Sequence, residues 1–204
     1  MCNNIIFAVD IQKDFINEDG AIPKVPQPKT FKENIKKCLS AAEKANILIV
    51  GTLETHSKDD ETFEIYPPHC IVATEGQDII PEGIVHNESF IYTVPNLGNG
   101  IDMSIIEDSW QIFFEKQIDD IWDMEKGQPD NLQTLLRAED VLEVYILGVN
   151  SVPSTIEGFL KRKYKITLIG DATIANQGYC HTKMESGDIR VITTEEFIKE
   201  IQKN

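Results

Sequence analysis

The feature that most constrains the fold is a strand, a tight turn and a helix that follow one another between Val144 and Lys163. The stretch 144–147 is apolar and β-prone, as in a buried strand. Pro153 suits the first turn of a helix, because a residue there needs no N–H donor. Basic residues at 161–163 end the predicted helix over 154–163, where positive charge is favourable. Such a unit is typical of parallel α/β sheets. It places Ser154 at the helix start, where ligands and nucleophiles are held.

Ser154 also has a purely structural interpretation. With Glu157 three residues later, it fits the S-x-x-E capping box that begins many helices. Because serine is an ordinary helix cap, this segment alone favours the structural interpretation over a catalytic one. Whether Ser154 has a structural or a catalytic role therefore depends on which other side chains of the protein lie near it.

Strands and helices alternate along most of the 204-residue chain. Apolar runs predict strands, and apolar residues at helical spacing predict the helices between them. The predicted strands span residues 4–9, 47–53, 89–94, 110–114, 141–147, 166–169 and 191–193. The predicted helical segments span 30–46, 103–108, 131–138, 154–163 and 193–202. This order predicts one α/β domain over residues 1–204, with a mostly parallel sheet and helices on both faces.

Chemically useful side chains follow four different predicted strands. Asp10 follows the first strand and Lys116 the fourth. Glu54 and His56 follow the second, and Ser154 follows the fifth. Because the carboxyl ends of parallel strands meet at one edge of the sheet, these side chains are predicted to share a site. Asp10 is the candidate general base, and Lys116 is the candidate for stabilising negative charge.

The second strand end carries a candidate metal site. Glu54 and His56 stand two residues apart, so in an extended chain their side chains face the same way. His69 lies on the proline-rich stretch that follows. Two imidazoles and one carboxylate suit zinc or another divalent metal. An E-x-H pair is also common by chance, so the spacing alone does not distinguish ligands from ordinary polar residues.

Charge and cysteine content exclude several classes of function. The net charge is −15 and no basic stripe is present, so neither nucleic acid nor an anionic membrane is an expected partner. No apolar run approaches the roughly 20 residues that span a bilayer. The four cysteines are scattered without a C-x-x-C pair, and the N-terminal MCNNIIFAVD lacks the pattern of a signal peptide. We therefore expect a cytoplasmic protein with reduced thiols.

Over nearly its whole length the sequence resembles the isochorismatase-like cysteine hydrolases, and within them the nicotinamidases and pyrazinamidases. The resemblance rests on AVDIQKDF, on ETHSKDDETF followed by YPPHCIVATEGQDIIPE, on FFEK, and on LGVNSVPSTIEGFLKRKYKITLIGDA. It implies a three-layer sandwich built on a six-stranded parallel sheet. It also implies an amidohydrolase that cleaves the C–N bond of a small amide and that often forms homo-oligomers.

The same resemblance implies roles for particular residues. The positions of the catalytic triad fall on Asp10, Lys116 and Ser154. Those of the metal ligands fall on Glu54, His56 and His69, with zinc expected first and manganese or iron as alternatives. Those of an aromatic substrate pocket fall on Phe15, Tyr66 and Trp122. A non-proline cis peptide is implied at Val149–Asn150, and an oxyanion hole is implied at the N–H groups of Asn150 and Ser154.

The chain departs from the family's pattern at several places. The family usually has Asp where Glu54 stands, and nicotinamidases tend to carry a further metal-binding His where Thr62 stands. The usual Thr-Asp pair reads Ser151-Val152. The largest departure is Ser154, at the place of the catalytic Cys. A thiol is partly ionised near neutral pH, whereas a hydroxyl needs a strong base, so impaired turnover is expected.

Three functions are compatible with these features. The first is a nicotinamidase-like amide hydrolase, which Asp10 and Lys116 support and Ser154 opposes. The second is an isochorismatase-type vinyl-ether hydrolase with Asp10 as general acid. Its members usually lack the metal ligands, so His56 and His69 argue against it. The third is a catalytically inactive homologue that binds a small molecule and a metal, which explains the altered nucleophile segment most simply.

Overall fold

A parallel sheet forms the centre of the protein. The structure, a computed structural model, describes residues 4–22, 26–85, 91–95, 101–102, 104, 111–122, 130–175, 182–183 and 185–203. The strands are β1 (Asn4–Val9), β2 (Leu48–Glu54), β3 (Ile91–Pro95), β4 (Gln111–Lys116), β5 (Glu143–Gly148), β6 (Lys165–Thr173) and β7 (Ile189–Ile192). The helices are α1 (Lys13–Ile16), α2 (Phe31–Lys44), α3 (Asn131–Ala138), α4 (Val152–Lys161) and α5 (Thr194–Ile201).

The described sheet has seven strands, in the order β3-β4-β2-β1-β5-β6-β7, and every pair is parallel. The expectation of six strands is therefore wrong. The short apolar run near residue 191 pairs with β6 over four residues, so it forms a full edge strand. The predicted helical turn at 103–108 lies almost entirely outside the described residues.

Two helices begin in ways that matter for the sequence interpretation. Helix α4 begins at Val152, two residues earlier than predicted, and Ser151 is its N-cap residue. Ser154 is therefore not the cap of this helix, and its S-x-x-E pattern does not form the capping box. A capping box does form at the start of α5, where Thr193 and Glu196 exchange hydrogen bonds.

The sheet is covered on both faces, as the resemblance implied. Strand β1 alternates between two apolar clusters: Ile5 and Phe7 belong to one, and Ile6 and Ala8 to the other. The first cluster includes the apolar faces of α3 and α4, and the second includes those of α2 and α5. The result is a three-layer sandwich. Within the described ranges, no helix has both the length and the apolar character needed to cross a membrane.

The strand order creates a topological switch point at β1. From β1 the chain adds β2, β4 and β3 on one side, and then returns to place β5 on the other side. In open α/β sheets, ligands bind in the crevice at the carboxyl ends of the strands where the order reverses. The sheet edge after β1 and β5 is therefore where a functional site is expected.

Candidate active site

The strand ends bring the predicted polar residues together. Asp10 follows β1, while Glu54 and Lys116 are the last residues of β2 and β4. Glu54 and Lys116 are also direct partners in the register of these two strands, so their side chains leave the sheet on the same side. The structure thus places all three where the sequence predicted, at one edge of the sheet.

The ammonium group of Lys116 lies at the centre of this cluster. Its Nζ is 3.0 Å from Asp10 Oδ2, 2.8 Å from Glu54 Oε1 and 2.8 Å from Ser151 Oγ. An ammonium group has three N–H bonds, so each has an acceptor. Burial disfavours the charge of this side chain, which is 5% exposed, but the carboxylates of Asp10 and Glu54 outweigh burial and raise the pKa of Lys116.

The carboxylate of Asp10 is fully buried and held on both oxygens. Oδ1 accepts a hydrogen bond from the Thr52 hydroxyl at 2.7 Å. Oδ2 faces Lys116 and accepts a hydrogen bond of 2.5 Å from the Ser151 hydroxyl. One oxygen is therefore anchored to β2, and the other is directed at a hydroxyl and an ammonium group. This arrangement can take up and return a proton at Oδ2.

The turn after β5 depends on two left-handed residues. Gly148 has φ of +124°, and a Cβ atom there would lie 2.1 Å from the carbonyl oxygen of Val9. Asn150 has φ of +57°, which asparagine tolerates better than most residues. The Val149–Asn150 peptide is trans, as are all peptide bonds of the described residues, so the cis peptide expected there is wrong. The left-handed backbone makes the turn instead.

The side chain of Asn150 joins the cluster, which the sequence did not predict. Its Nδ2 is 2.7 Å from Glu54 Oε1, 3.1 Å from Ser151 Oγ and 3.2 Å from Asp10 Oδ2. Two N–H bonds thus face three acceptors, and the bond to Glu54 is the shortest. The oxyanion-hole role of the N–H groups of Asn150 and Ser154 stays a prediction.

The structure does not bring Ser154 to Asp10. The Ser154 hydroxyl lies 2.9 Å from the carbonyl oxygen of Ser151 and 3.0 Å from that of Asp119. Because α4 begins two residues earlier than predicted, Ser154 belongs to the first turn of the helix, and its hydroxyl bonds back to the preceding turn. The catalytic role of Ser154 stays a prediction that this geometry does not support.

Glu54, His56 and His69 converge on one point. Their ligand atoms all lie within 4.8 Å of one another, and the three side chains are buried. Glu54 Oε2 is 3.0 Å from His69 Nε2 and 3.4 Å from His56 Nε2. The opposite ring nitrogens are anchored, with His56 Nδ1 on Asp60 and His69 Nδ1 on the Pro67 carbonyl oxygen. Anchored Nδ1 and convergent Nε2 atoms are the usual arrangement of metal-binding histidines.

Charge in this group also suits a cation. Burial opposes the ionisation of Glu54, but hydrogen bonds from His56 and His69 and the charge of Lys116 hold its pKa well below the ordinary value. Burial opposes the protonation of His56 and His69, but their hydrogen bonds to Glu54 raise the pKa of both. A divalent metal held by the three convergent atoms would replace these protons as the positive charge beside Glu54, so the residues fit such an ion.

Aromatic rings lie beside the two histidines. Phe15 packs edge-on against His69, with the ring centroids 5.5 Å apart. Phe63, which the sequence interpretation did not select, lies 5.5 Å from His56 and 5.7 Å from His69. Tyr66 is 53% exposed, so it does not enclose a pocket as predicted. Two phenylalanines thus stand where an aromatic wall was expected.

Trp122 lies elsewhere. Its ring packs edge-on against Phe159, and the guanidinium carbon of Arg162 lies 3.9 Å from its ring centroid. A Cβ atom at Gly158 would lie 1.8 Å from the Trp122 ring. These partners are on the C-terminal half of α4 and just beyond it, so the structure does not bring Trp122 to the histidine pair. Its placement in the substrate pocket is not supported.

Comparison with known proteins agrees with the fold. Residues 4–92 match the family model described as the isochorismatase domain, a range that contains Asp10 and the three convergent ligand residues. A pyrazinamidase/nicotinamidase from Streptococcus mutans has a similar structure, with a TM-score of 0.73 over 93% of this chain and 99% of that chain at 18% identity. The chain has an isochorismatase-like fold. The resemblance stated from the sequence is confirmed.

Two further structures with the isochorismatase-like fold are informative. N-carbamoylsarcosine amidase from Thermoplasma acidophilum has a TM-score of 0.71 and 18% identity, over 95% of this chain and 97% of that chain. Pyrazinamidase of Pyrococcus horikoshii, solved in complex with zinc, has a TM-score of 0.69 and 22% identity, over 94% of this chain and 99% of that chain. No curated protein matches the sequence. At these sequence identities, the structural similarity establishes the fold and not the activity.

Proposed function

We propose that this protein hydrolyses the C–N bond of a small amide at the sheet edge after β1, β2 and β4. The observation that carries this proposal is the position of Lys116 Nζ, within 3.0 Å of both Asp10 and Glu54. Lys116 thereby joins a candidate acid/base group to a candidate metal group. A site with both parts can handle the proton and the negative charge that amide hydrolysis requires.

Asp10 has the geometry of a proton carrier. Its Oδ2 lies within hydrogen-bond distance of a serine hydroxyl, and its Oδ1 is fixed by Thr52. An oxygen held in this way can accept a proton from an attacking hydroxyl and return it to the leaving nitrogen. Lys116 supplies a fixed positive charge beside the same oxygen. In a buried site such a charge stabilises an oxyanion more strongly than it does in water.

Glu54, His56 and His69 would hold a divalent metal, with zinc expected first and manganese or iron as alternatives. When bound, the metal supplies Lewis-acid chemistry and an open position for a substrate atom or a water molecule. Asp60 and the Pro67 carbonyl keep the two imidazoles oriented. Glu54 uses one oxygen for this group and the other for Lys116 and Asn150.

The proposed substrate is a small planar amide. Phe15 and Phe63 flank the two imidazoles, so a flat ring or a planar carbamoyl group would find apolar faces beside the metal group. The names of the similar structures suggest which compounds to try first. They are nicotinamide, pyrazinamide and N-carbamoylsarcosine.

A second candidate function is binding of such a compound without turnover. The observation that favours it is the Ser154 hydroxyl, which donates to backbone carbonyl oxygens although the resemblance puts Ser154 at the place of the family's catalytic Cys. Metal and ligand binding are expected under both candidates, whereas ammonia release is expected only under the first.

The test is ammonia release from a panel of these amides by the zinc-loaded protein, with ligand binding measured by calorimetry on the same preparation. The first candidate predicts ammonia release from at least one amide. Binding without release would favour the second candidate, and neither binding nor release would contradict both.

The metal group has its own test. Zinc affinity is measured by competition with a coloured chelator for the wild type, His69→Ala and His86→Ala. Loss of one of three ligands is expected to weaken zinc binding at least 10-fold, since even residues that only orient a ligand cost 10–100-fold. His86 shows no ligand pattern in the sequence, so His86→Ala serves as the control. Equal affinities for all three proteins would contradict the assignment.

A further inference from the structure

The two serines at the start of α4 contact different kinds of partner. Ser151 Oγ donates to Asp10 Oδ2 at 2.5 Å and accepts from Lys116 Nζ at 2.8 Å. The Ser154 hydroxyl contacts two backbone carbonyl oxygens, which are not bases. A nucleophilic hydroxyl needs a general base within about 2.6–3.2 Å or closer. Of these two serines, only Ser151 has one. We propose that Ser151, and not Ser154, is the nucleophile of the amide hydrolase described above, on which this assignment rests.

A capping role does not account for the contacts of Ser151. An N-cap serine normally accepts a hydrogen bond from a backbone N–H of the first helical turn. Ser151 occupies the N-cap position of α4, but its side chain makes no such bond. Its hydroxyl is directed at Asp10 and Lys116 instead. Ser151 is only 4% exposed, so its hydroxyl has not turned away from the helix in order to contact water.

The local backbone explains why Ser151 reaches the acid/base pair. Gly148 ends β5 beside Val9, and the left-handed Asn150 then reverses the chain direction before the helix begins. Ser151 is the first hydroxyl after this turn, so it stands directly opposite Asp10, which follows Val9. A serine on a tight strand-to-helix turn at the end of a parallel strand is a recurrent way of presenting a nucleophile.

The reaction balances with the groups present. Ser151 Oγ attacks the amide carbon, an O–C bond forms, and the hydroxyl proton passes to Asp10 Oδ2. The tetrahedral oxyanion then collapses, the C–N bond breaks, and Asp10 returns the proton to the leaving nitrogen. Water attacks the resulting ester, gives a proton to Asp10 and releases the carboxylic acid, and that proton returns to Ser151. The sum is amide plus water to acid plus amine.

The electrostatic potential around Ser151 is positive, which favours the negative charge that develops during the reaction. Lys116 Nζ lies 2.8 Å from Ser151 Oγ, and Ser151 stands at the N-terminus of α4. The N-terminus of a helix stabilises negative charge, and a buried ammonium group does so more strongly. The Ser154 hydroxyl, one turn further along, faces two neutral carbonyl oxygens instead.

Methanesulfonyl fluoride tests the assignment without requiring the natural substrate. This small reagent modifies activated serines: an O–S bond forms, the S–F bond breaks, fluoride leaves and the serine proton passes to the base. The modified residue is located by peptide mass mapping in the wild type, Asp10→Asn, Ser151→Ala and Ser154→Ala. We expect the adduct on Ser151 in the wild type and in Ser154→Ala. Asp10→Asn should slow its formation by about 10²–10⁴-fold, the usual contribution of a general base.

An adduct on Ser154, or no serine adduct in this segment, would overturn the assignment. The wild-type result alone decides between the two serines, so the test stands even if a variant folds poorly. Failure of the proposed function is seen separately. Modification of Ser151 without hydrolysis of any amide would contradict the proposed function but support Ser151 as the activated serine. Amide hydrolysis with modification of Ser154 would support the proposed function but contradict the assignment of Ser151.

Discussion

Replacing Lys116 with methionine should destabilise the protein far more than replacing a lysine whose ion-pair partners are exposed. Methionine keeps the length of the side chain but removes three hydrogen bonds and the charge between Asp10 and Glu54. Breaking a buried ion pair by removing one partner costs about 3–5 kcal/mol, because the remaining charges are left uncompensated. With a typical urea slope of about 2–3 kcal/mol/M, the midpoint should fall by about 1–2 M.

Lys13→Met is the matched control. Lys13 Nζ lies 3.1 Å from both Glu75 and Asp78, but the two carboxylates are mostly exposed. Exposed pairs contribute about 0–1 kcal/mol, so this variant should unfold close to the wild-type midpoint. Both variants are compared by urea unfolding of the metal-free protein at neutral pH.

The pH dependence of the Lys116→Met variant follows from the same argument. In the wild type, burial opposes the ionisation of Glu54, but hydrogen bonds from His56 and His69 and the charge of Lys116 hold its pKa well below the ordinary value. The contribution of Lys116 therefore stabilises the folded protein while Glu54 is ionised, and it is lost when this carboxyl is protonated at acid pH. The stability deficit of the variant relative to the wild type should accordingly shrink as the pH falls from neutrality to below about 4, the ordinary range of a glutamate. A Lys116→Met variant as stable as Lys13→Met would refute the buried charge cluster.

Three further substitutions test local geometry by urea unfolding. Gly148→Ala should lower the free energy of unfolding by more than about 2 kcal/mol, because it places a Cβ atom at positive φ against the Val9 carbonyl oxygen. A loss below about 0.5 kcal/mol would contradict the geometry of this turn. Gly158→Ala should lower the free energy of unfolding by about 1–3 kcal/mol by pushing the Trp122 ring aside, and it should change the fluorescence of Trp122. An unchanged fluorescence spectrum and urea midpoint would show that the ring does not pack against Gly158. Thr193→Ala should cost about 1 kcal/mol by removing the capping box of α5, whereas an unchanged midpoint would contradict the box.

Polar residues at strand ends were the part of the site that the sequence could predict. Asp10, Glu54 and Lys116 each follow an apolar run of strand length, and parallel topology forces such positions to one edge. The prediction needed only strand boundaries correct to within a residue or two. His56 was predicted to face the same way as Glu54 because the two form an E-x-H pair on extended chain, whereas His69 was selected from the proline-rich stretch that follows and by the resemblance.

The sequence was less informative where a helix begins. A shift of two residues in the start of α4 exchanges which serine faces Asp10, and cap signals do not fix a boundary to that precision. Asparagine adopts the left-handed conformation more often than most residues, and Asn150 lies two residues after Gly148, so the sequence did carry a signal for a tight turn here. Ser151 carries the first hydroxyl after that turn, and this position is the signal that identifies it.

Aromatic residues were predicted least well. Phe63 lies against both histidines because the short 3₁₀ helix over Glu61–Glu64 turns its ring inward, and no periodic pattern marks such a turn. Trp122 was assigned to the pocket only by resemblance. Its partners Phe159 and Arg162 belong to the layer that packs α4, and long-range packing of this kind has no local signal.

The most direct test of the account is the rate of ammonia release by Asp10→Asn beside the wild type, on whichever amide of the panel the wild type hydrolyses fastest. Asparagine has the same shape as aspartate and cannot accept the proton from Ser151. Urea unfolding of both proteins establishes that the variant is folded. The account predicts that the variant retains the fold and loses about 10²–10⁴-fold in rate. A folded Asp10→Asn protein that releases ammonia at the wild-type rate would contradict the central claim.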